Sequence, residues 1–405
     1  MSDQSSAQQP PLKKILIVWS SYELGGAERQ LIRLANDWQK HHFQVEFLGF
    51  FDGKLRAALQ KKGFTTHLVS NLHQPTLIWR LWRKIKLLNI YYQIILKRKL
   101  TEISPQIVIS AMNFPNVLIG NVWPKIKSIK GHIWNQSDLG LGRLPLKLEL
   151  KALERASFIV TNSQISADFL SNEFLPHFSS SSNFQSKLKV IPNIVFLEND
   201  SPSIHQYRSS SNQFIVTMVA NLSQYKDHRL LLKSWADFNQ HLNPKDSNYH
   251  PPLLLLAGRD DGQKVQLEQL AQQLNIVHQV RFLGSISDIH NLLSSADLAV
   301  LTTPSEGSSN SLAEYMLAGL SIITSDIPAN QELLNDDYQF YYSATANRTH
   351  QVQTISQHFQ TLYQKVQLRT RIGQENQQKA HQIFNNSNNL RQYRQLLNQI
   401  LQSEN

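Results

Sequence analysis

Two glutamates, Glu306 and Glu314, stand eight positions apart in the segment SEGSSNSLAEYMLAG (305–319), which has the pattern of a loop followed by a helix. The serine and asparagine side chains at 308–311 can cap that helix. The unpaired N–H groups and positive dipole end of a helix N-terminus suit a diphosphate. Carboxylates only accept hydrogen bonds, so beside a phosphate they favour the hydroxyls of a ribose or a sugar. The alternative is that both glutamates only complement the helix dipole.

A lysine and a glycine pair follow the first strands of the two halves of the chain. Lys226 comes five residues after Asn221, where a predicted strand ends, and can offer a cation to a phosphate. A single lysine of this kind can equally be a solvated helix charge. Gly25 and Gly26 close the first strand and would let a ligand approach the backbone closely, although any tight turn favours glycine.

An arginine and two aspartates form a third group of polar residues. Arg259 follows an Ala-Gly pair after a predicted strand, where it can contact a nucleotide or lie on a loop. Asp260 and Asp261 have the context of a turn, which we favour over a metal site. Cysteine is absent, which excludes thiolate metal sites, disulfides and a cysteine nucleophile. The sequence therefore predicts no metal and no cofactor.

The elements that must position these residues alternate between short apolar runs and helix-length segments. KKILIVWSS (13–21) and FQVEFLGFF (43–51) begin one such series, and FIVTMVANLS (214–223) begins a second. This alternation predicts two doubly wound, Rossmann-like α/β domains that face each other across a cleft lined by the carboxyl ends of their strands. The predicted boundaries are a polar tail at 1–12, an N-terminal domain at 13–197, a linker at 198–213, a C-terminal domain at 214–378 and a C-terminal helix at 379–405 that could pack back on the first domain.

Length and composition limit the class of protein. The chain has 405 residues, 41% of them hydrophobic and 17% charged, which excludes wholesale disorder and a single small domain. No stretch reaches the 18 or so apolar residues of a membrane span, and the polar N-terminus does not resemble a signal peptide. We expect a cytoplasmic protein.

Positive charge is concentrated in the first part of the chain. Residues 1–150 hold 21 lysines and arginines against 9 acidic residues, whereas residues 151–405 hold 19 against 21. Such an asymmetry predicts a polyanionic neighbour of the first domain.

The segment 75–100 carries much of this charge, with seven basic residues, no acidic residue, two tryptophans and two tyrosines. That composition is typical of a helix at the surface of an anionic membrane. The alternative is a pair of ordinary helices packed on the sheet. We do not expect nucleic acid as a partner, because no recognition-helix, zinc-finger or RNP-like pattern accompanies the charge.

The motifs occur in the order found in the GT-B glycosyltransferases, and the chain resembles their large retaining family four, the glycosyl transferases group 1. The resemblance extends from about residue 13 to about residue 335, and the paired glutamates are its most specific element. The motifs are GGAE (25–28), TNS (161–163), IPN (191–193), ANLSQYKDH (220–228), LLAGRDD (255–261), VRFLGSISDI (280–289), SADLAVLTTPSEGSSNSLAEYMLAG (295–319) and SDIPANQELL (325–334).

The resemblance implies transfer of a sugar from a nucleotide-diphosphate sugar to an acceptor hydroxyl, with retention of configuration and without a metal. The acceptor would be a glycan or a lipid-linked saccharide, as in polysaccharide biosynthesis. The residues that this implies, by position, are Glu314 for the donor ribose, Glu306 for the transferred sugar, the backbone at Asn310 and Ser311 for the diphosphate, Lys226 for the leaving phosphate, Asn221 and Arg259 for other donor contacts, and Gly25 and Gly26 for diphosphate and acceptor.

Two departures from the family pattern keep other functions open. Asn221 stands where the family usually has an arginine. The loop NQSDLGLGR (135–143) lacks the family's usual histidine, so Asp138 or Arg143 would have to serve as the catalytic residue there. His132 falls inside a predicted strand, and we interpret it as a core residue. The alternatives are an epimerase-like relative and a non-catalytic nucleotide-sugar-binding protein; the base, sugar and acceptor stay unspecified.

Overall fold

In the computed structural model, the described residues are 12–23, 26–69, 86–137, 139, 144–178, 181–197, 207–208, 210, 212–243 and 250–403. They form two compact units. The first unit comprises the described residues up to Ile194 and those from Asn386 onward, and the second comprises those from Val195 to Asn385.

The first unit is built on a parallel sheet of seven strands in the order β3-β2-β1-β4-β5-β6-β7. Its central strands are apolar on both faces because helices cover both, as in β1, where five consecutive residues are buried. The strands are β1 (Lys13–Ser21), β2 (Phe43–Phe51), β3 (Thr65–Leu68), β4 (Ile107–Ala111), β5 (Gly131–Gln136), β6 (Phe158–Thr161) and β7 (Leu188–Val190).

Helices connect these strands. In the first of them, the buried side chains Leu31, Leu34 and Trp38 share one face, which packs on the sheet. The helices are α1 (Gly26–Lys40), α2 (Lys54–Lys61), α3 (Lys86–Ile103), α4 (Asn113–Val122), α5 (Leu146–Arg155), α6 (Gln164–Phe174) and α7 (Ser181–Lys187).

The second unit has a parallel sheet of six strands in the order β10-β9-β8-β11-β12-β13. The strands are β8 (Ile215–Val219), β9 (Leu253–Ala257), β10 (Val280–Gly284), β11 (Leu298–Leu301), β12 (Ser321–Ser325) and β13 (Tyr341–Tyr342). The helices are α8 (His228–Gln240), α9 (Lys264–Gln273), α10 (Ile289–Ser295), α11 (Asn310–Leu317), α12 (Pro328–Leu334), α13 (Arg348–Gln364) and α14 (Val366–Ile383). Strand order reverses between β8 and β11, and ligands of such sheets bind at the carboxyl ends beside that switch point.

The backbones of α14 and of the turn after α11 approach each other closely. A Cβ added to Gly373 in α14 would lie 2.0 Å from the carbonyl oxygen of Gly319, the residue that closes the turn after α11. Gly319 itself has a φ of +71°, a conformation that suits glycine. These two glycines let α14 pack directly against the end of α11.

The last helix, α15 (Asn386–Gln402), belongs to the first unit. Tyr393 and Leu397 are buried in the core that contains Trp38. Arg394 donates to both carboxylate oxygens of Asp37, each at 2.7 Å. Both bonds come from the guanidinium nitrogen Nη1, and this partly buried ion pair ties α15 to α1.

The basic segment 75–100 lies only partly within the described residues, and 75–85 falls outside them. Its second part lies in α3, which carries exposed Ile90, Tyr91 and Ile94. Across the described ranges, we find no helix that combines the length and the hydropathy needed to span a bilayer.

Candidate active site

The chain leaves β8 and β11, which are neighbours in the sheet, through loops that carry two of the predicted site residues. After β8 comes a short 3₁₀ turn, Gln224–Lys226, and then α8. After β11 comes the loop with Glu306, and then α11. Parallel strands end at the same edge of a sheet, so residues 80 positions apart in sequence meet there.

Lys226 and Glu306 form an ion pair in which the ammonium donates to Oε1 of the carboxylate. Their side chains are only 20% and 11% exposed. Burial acts to lower the pKa of Lys226, but the charge of Glu306 and the contact with Tyr225 outweigh it, so the pKa of Lys226 is raised above its ordinary value. Lys226 therefore keeps its positive charge at neutral pH.

Tyr225 is a site residue that sequence reasoning missed. Its hydroxyl oxygen lies 3.3 Å from Nζ of Lys226, and the same ammonium lies 4.6 Å from the centre of its ring. Its ring is 46% exposed. The sequence does place an aromatic residue directly before the lysine. A single tyrosine there belongs to no motif or repeating pattern, so the sequence does not distinguish it from an ordinary surface residue.

The start of α11 is held against the end of β8 by two side chains. Ser311 donates from Oγ to the carbonyl oxygen of Val219 at 2.6 Å, and the N–H of Val219 donates to the hydroxyl of Tyr315 at 2.6 Å. Ser309 caps the helix by accepting from the N–H of Leu312 at 3.2 Å. The hydroxyl of Ser311 is thus committed to Val219, and this bond holds the first turn of α11 against the end of β8.

Glu314 and Asn310 lie on this helix. Asn310 is its first residue, and Glu314 is its fifth, with a side chain only 6% exposed. A carboxylate this far out of water depends on hydrogen-bond donors for its stability.

Asn221 and Arg259 are neighbours on the loops after β8 and β9. The N–H of Arg259 donates to Oδ1 of Asn221 at 3.3 Å. The guanidinium of Arg259 is paired with Asp261, with Nε 2.7 Å from Oδ1. Asp260 accepts from three backbone N–H groups at the start of α9, and these bonds, the one from Lys264 foremost, lower the pKa of its carboxyl. Asp260 thus holds the turn that leads into α9.

No group of three histidines, cysteines, aspartates or glutamates that could hold a metal occurs within the ranges that the structure describes.

Several predicted residues come from the first part of the chain. Gly26 is the first residue of α1, whereas Gly25 and Asp138 lie outside the described residues, as does Arg143. His132 is fully buried in β5, with Nε2 2.6 Å from the hydroxyl of Ser110, and burial lowers its pKa to about 3. It is a neutral core histidine, as the sequence indicated.

His228 makes the stability of the second unit sensitive to acid. Burial first, and then the charge of Lys226, lower its pKa from 6.5 to about 4. The unfolded chain takes up this proton near pH 6.5 and the folded chain only near pH 4, so stability is lost as the pH falls through that window. We expect the free energy of unfolding to fall by about 2 kcal/mol between pH 7 and pH 4.5 because of His228. Urea unfolding followed by circular dichroism at both pH values measures this loss.

The comparison variant is His228→Asn, which cannot titrate and should show the smaller loss on acidification. His241→Asn, at the exposed end of α8, should keep the wild-type loss. Equal acid sensitivity in the wild type and His228→Asn would disprove this role of His228.

The second unit is similar in sequence to a known protein family. Residues 200–379 match the family model described as glycosyl transferases group 1. The match covers nearly the whole of the second unit. The matched range contains the Lys226–Glu306 pair, α11 and the start of α9, so the candidate site lies within the residues that the family model matches.

Curated relatives match part of the chain. EpsD of Bacillus subtilis (strain 168), named as a glycosyltransferase, is 26% identical over 176 residues, which cover 44% of this chain and 42% of EpsD. EpsF of the same organism, also named as a glycosyltransferase, is 29% identical over 157 residues, which cover 37% of this chain and 38% of EpsF. The chain thus spans less than half the length of each of these relatives.

Solved structures match nearly the whole chain. HepE of Anabaena, solved in complex with UDP-glucose, has a TM-score of 0.73 at 22% identity, covering 95% of this chain and 99% of HepE. This likeness confirms the predicted fold class, two Rossmann-like domains of the GT-B type. The family match over residues 200–379 confirms the predicted resemblance to the glycosyl transferases group 1.

Proposed function

We propose that this chain transfers a sugar from a nucleoside-diphosphate sugar to a hydroxyl of a saccharide or lipid-linked saccharide, with retention of configuration. The observation that carries the proposal is the Lys226–Glu306 pair on the loops after β8 and β11, at the switch point of the sheet whose residues match the glycosyl transferases group 1. A cation, a carboxylate and a helix N-terminus together suit a phosphorylated sugar.

Each proposed role follows from the charge that develops in the reaction. As the bond between sugar and diphosphate stretches, negative charge grows on the leaving phosphate. Lys226 and the N–H groups at Asn310 and Ser311 would stabilise that charge because they are already oriented. Glu314 would accept from the ribose hydroxyls and Glu306 from a hydroxyl of the transferred sugar.

Retention and metal independence are part of the same proposal. Lys226 and the first turn of α11 supply the positive charge that a bound metal supplies in other phosphate sites. Retention then needs no enzyme nucleophile if the acceptor hydroxyl attacks from the side that the leaving diphosphate occupies. The bond from the sugar to the phosphate oxygen breaks, the bond to the acceptor oxygen forms, and the acceptor's proton passes to the departing phosphate oxygen. Gly25 and Gly26 stay predicted contacts of diphosphate and acceptor, and Asp138 stays a predicted catalytic residue.

Product analysis tests the proposal. Purified protein is incubated with UDP-glucose, chosen because HepE was solved with it, and with a panel of saccharide acceptors, in buffer with and without EDTA. Proton NMR should show a new glycosidic bond of the donor's own anomeric configuration and an equal amount of UDP, unaffected by EDTA. Inverted product would overturn retention, and loss of activity in EDTA would overturn metal independence. The same panel with GDP- and ADP-sugars covers the other bases.

A non-catalytic nucleotide-sugar-binding protein is the second candidate, favoured by Asn221 and Arg259. Asn221 brings no charge to the phosphates, and Arg259 is paired with Asp261. Calorimetry that shows tight donor binding, without turnover on any acceptor of the panel, would support this candidate over the enzyme.

We further propose peripheral association of the first unit with the cytoplasmic membrane face. On α3, the exposed apolar side chains Ile90, Tyr91 and Ile94 precede the exposed cations Lys97 and Arg98. Apolar side chains that enter the lipid boundary beside cations at the headgroups are typical of interfacial helices. A lipid-linked acceptor would be within reach of an enzyme held there.

Flotation with liposomes containing anionic phosphatidylglycerol tests the membrane contact. We expect binding at low salt that weakens at high salt, and an about fivefold lower bound fraction for Ile94→Glu, since one apolar side chain then no longer enters the lipid. Val265→Glu, at a 64% exposed position on α9 of the second unit, should bind as the wild type does. Absence of binding at low salt would contradict the proposal.

A further inference from the structure

The ammonium of Lys226 has three N–H donors, and two of them have defined partners. One donates to Oε1 of Glu306, and another donates to the hydroxyl oxygen of Tyr225 at 3.3 Å. Within the part of the chain that the structure describes, these two oxygens are its hydrogen-bond acceptors. Two fixed bonds set the direction of the third N–H, which is then available to a phosphate oxygen of a ligand.

Tyr225 is itself held in place. A side-chain hydrogen bond links it to Thr303, and Thr303 donates from Oγ1 to the carbonyl oxygen of Ser305 at 3.1 Å. These bonds form a chain from Lys226 to the backbone that leads into Glu306. Tyr225 therefore ties the lysine to the loop after β11 by a path separate from the ion pair.

The two partners of Lys226 differ in charge, and that difference matters for catalysis. Glu306 neutralises the lysine and, in the proposed function, must also bind the sugar. Tyr225 is neutral, so its oxygen orients the ammonium without cancelling its charge. The centre of the Tyr225 ring lies 4.6 Å from the ammonium, so a cation–π attraction also holds the lysine without cancelling its charge.

The loops next to Lys226 offer little other positive charge to a phosphate. Asn221 offers no cation, and the guanidinium of Arg259 is bound to Asp261. If Lys226 were misplaced, these loops would therefore supply little positive charge to stabilise the departing phosphate.

We propose that Tyr225 is a positioning residue that directs the ammonium of Lys226 toward the phosphate of the donor. This inference rests on the proposed function, which makes the phosphate the partner of Lys226.

Two measurements on Tyr225→Phe test the inference, one of which needs no substrate. The first is competitive acetylation with acetic anhydride, quantified by mass spectrometry, in which Lys233 on the exposed face of α8 is the internal reference. Without the tyrosine oxygen, Lys226 should react about three- to tenfold faster relative to Lys233, because it loses a hydrogen bond that favours its charged form.

The second measurement is steady-state transfer from UDP-glucose. Tyr225→Phe should lower kcat about tenfold and change the donor KM less than about threefold, since orientation matters most as charge develops. The matched control is Tyr363→Phe, a tyrosine packed 5.3 Å from Phe214 in the core of the second unit, which should match the wild type in both measurements.

The outcomes separate the two proposals. Faster acetylation of Lys226 without transferase activity in the wild type would support the positioning by Tyr225 and overturn the proposed function. Unchanged acetylation of Lys226 in Tyr225→Phe would overturn the positioning role, whatever the wild-type activity. A larger change in KM than in kcat would also overturn it, because Tyr225 would then act as a binding contact.

Discussion

Lys226→Met is expected to lower kcat for transfer from UDP-glucose about a thousandfold. The lysine is the cation on the loop after β8, is mostly buried, and keeps its charge because Glu306 and Tyr225 hold it there. Removing one preorganised group that stabilises developing charge typically costs a factor of 100 to 1,000, and the neutral Asn221 offers no charge to replace it. Steady-state kinetics measure the loss.

Two controls separate chemistry from folding. Lys226→Met leaves the carboxylate of Glu306 without its ion pair, which destabilises the loop. Adding Glu306→Gln should recover much of the melting temperature while activity stays low. Lys233→Met, at an exposed position of α8, should behave as the wild type does. A kcat within threefold of the wild type in Lys226→Met would remove Lys226 from the mechanism.

Glu314→Ala is expected to weaken the binding of UDP about a hundredfold. In the proposed complex its carboxylate accepts from the two ribose hydroxyls, and hydrogen bonds to a charged group are worth about 1.5–3 kcal/mol each. Because the ribose does not change in the reaction, the loss should appear in the donor KM more than in kcat. Isothermal titration with UDP measures the affinity directly.

The position of Glu314 decides the choice of controls. Its side chain is 6% exposed, so alanine also leaves a cavity, and circular dichroism must show that the variant is folded. Glu314→Gln keeps the volume and one acceptor, and should lose about tenfold in affinity. Glu268→Ala, on the exposed face of α9, should bind UDP normally. If a folded Glu314→Ala variant bound UDP with unchanged affinity, the glutamate would only complement the dipole of α11, which is the alternative interpretation of its position.

The strands and the loops that follow them were predictable from short stretches of sequence. Strands buried on both faces must be apolar at every position, and β9, with the sequence LLLLA, shows this pattern directly. Serine at 309 before an apolar helix indicated the N-terminus of α11, and the structure places its cap there. These signals are local, so each can be seen without the rest of the fold.

The partners of the site side chains could not be predicted in this way. Tyr225, and the bonds of Ser311 and Tyr315 to Val219, depend on how two loops and a helix pack at one sheet edge. No periodicity in the sequence marks them, because each residue is unremarkable in its own segment.

The amino-acid sequence alone determined two series of parallel strands, the loops that carry Lys226 and Glu306, and the class of ligand that those residue types suit, because patterns of burial and capping act over a few residues. Only the tertiary structure decided that Lys226 and Glu306 form an ion pair and that α15 packs on the first unit. Contacts between residues 80 or more positions apart arise from strand order and helix packing, and neither is written in any single segment.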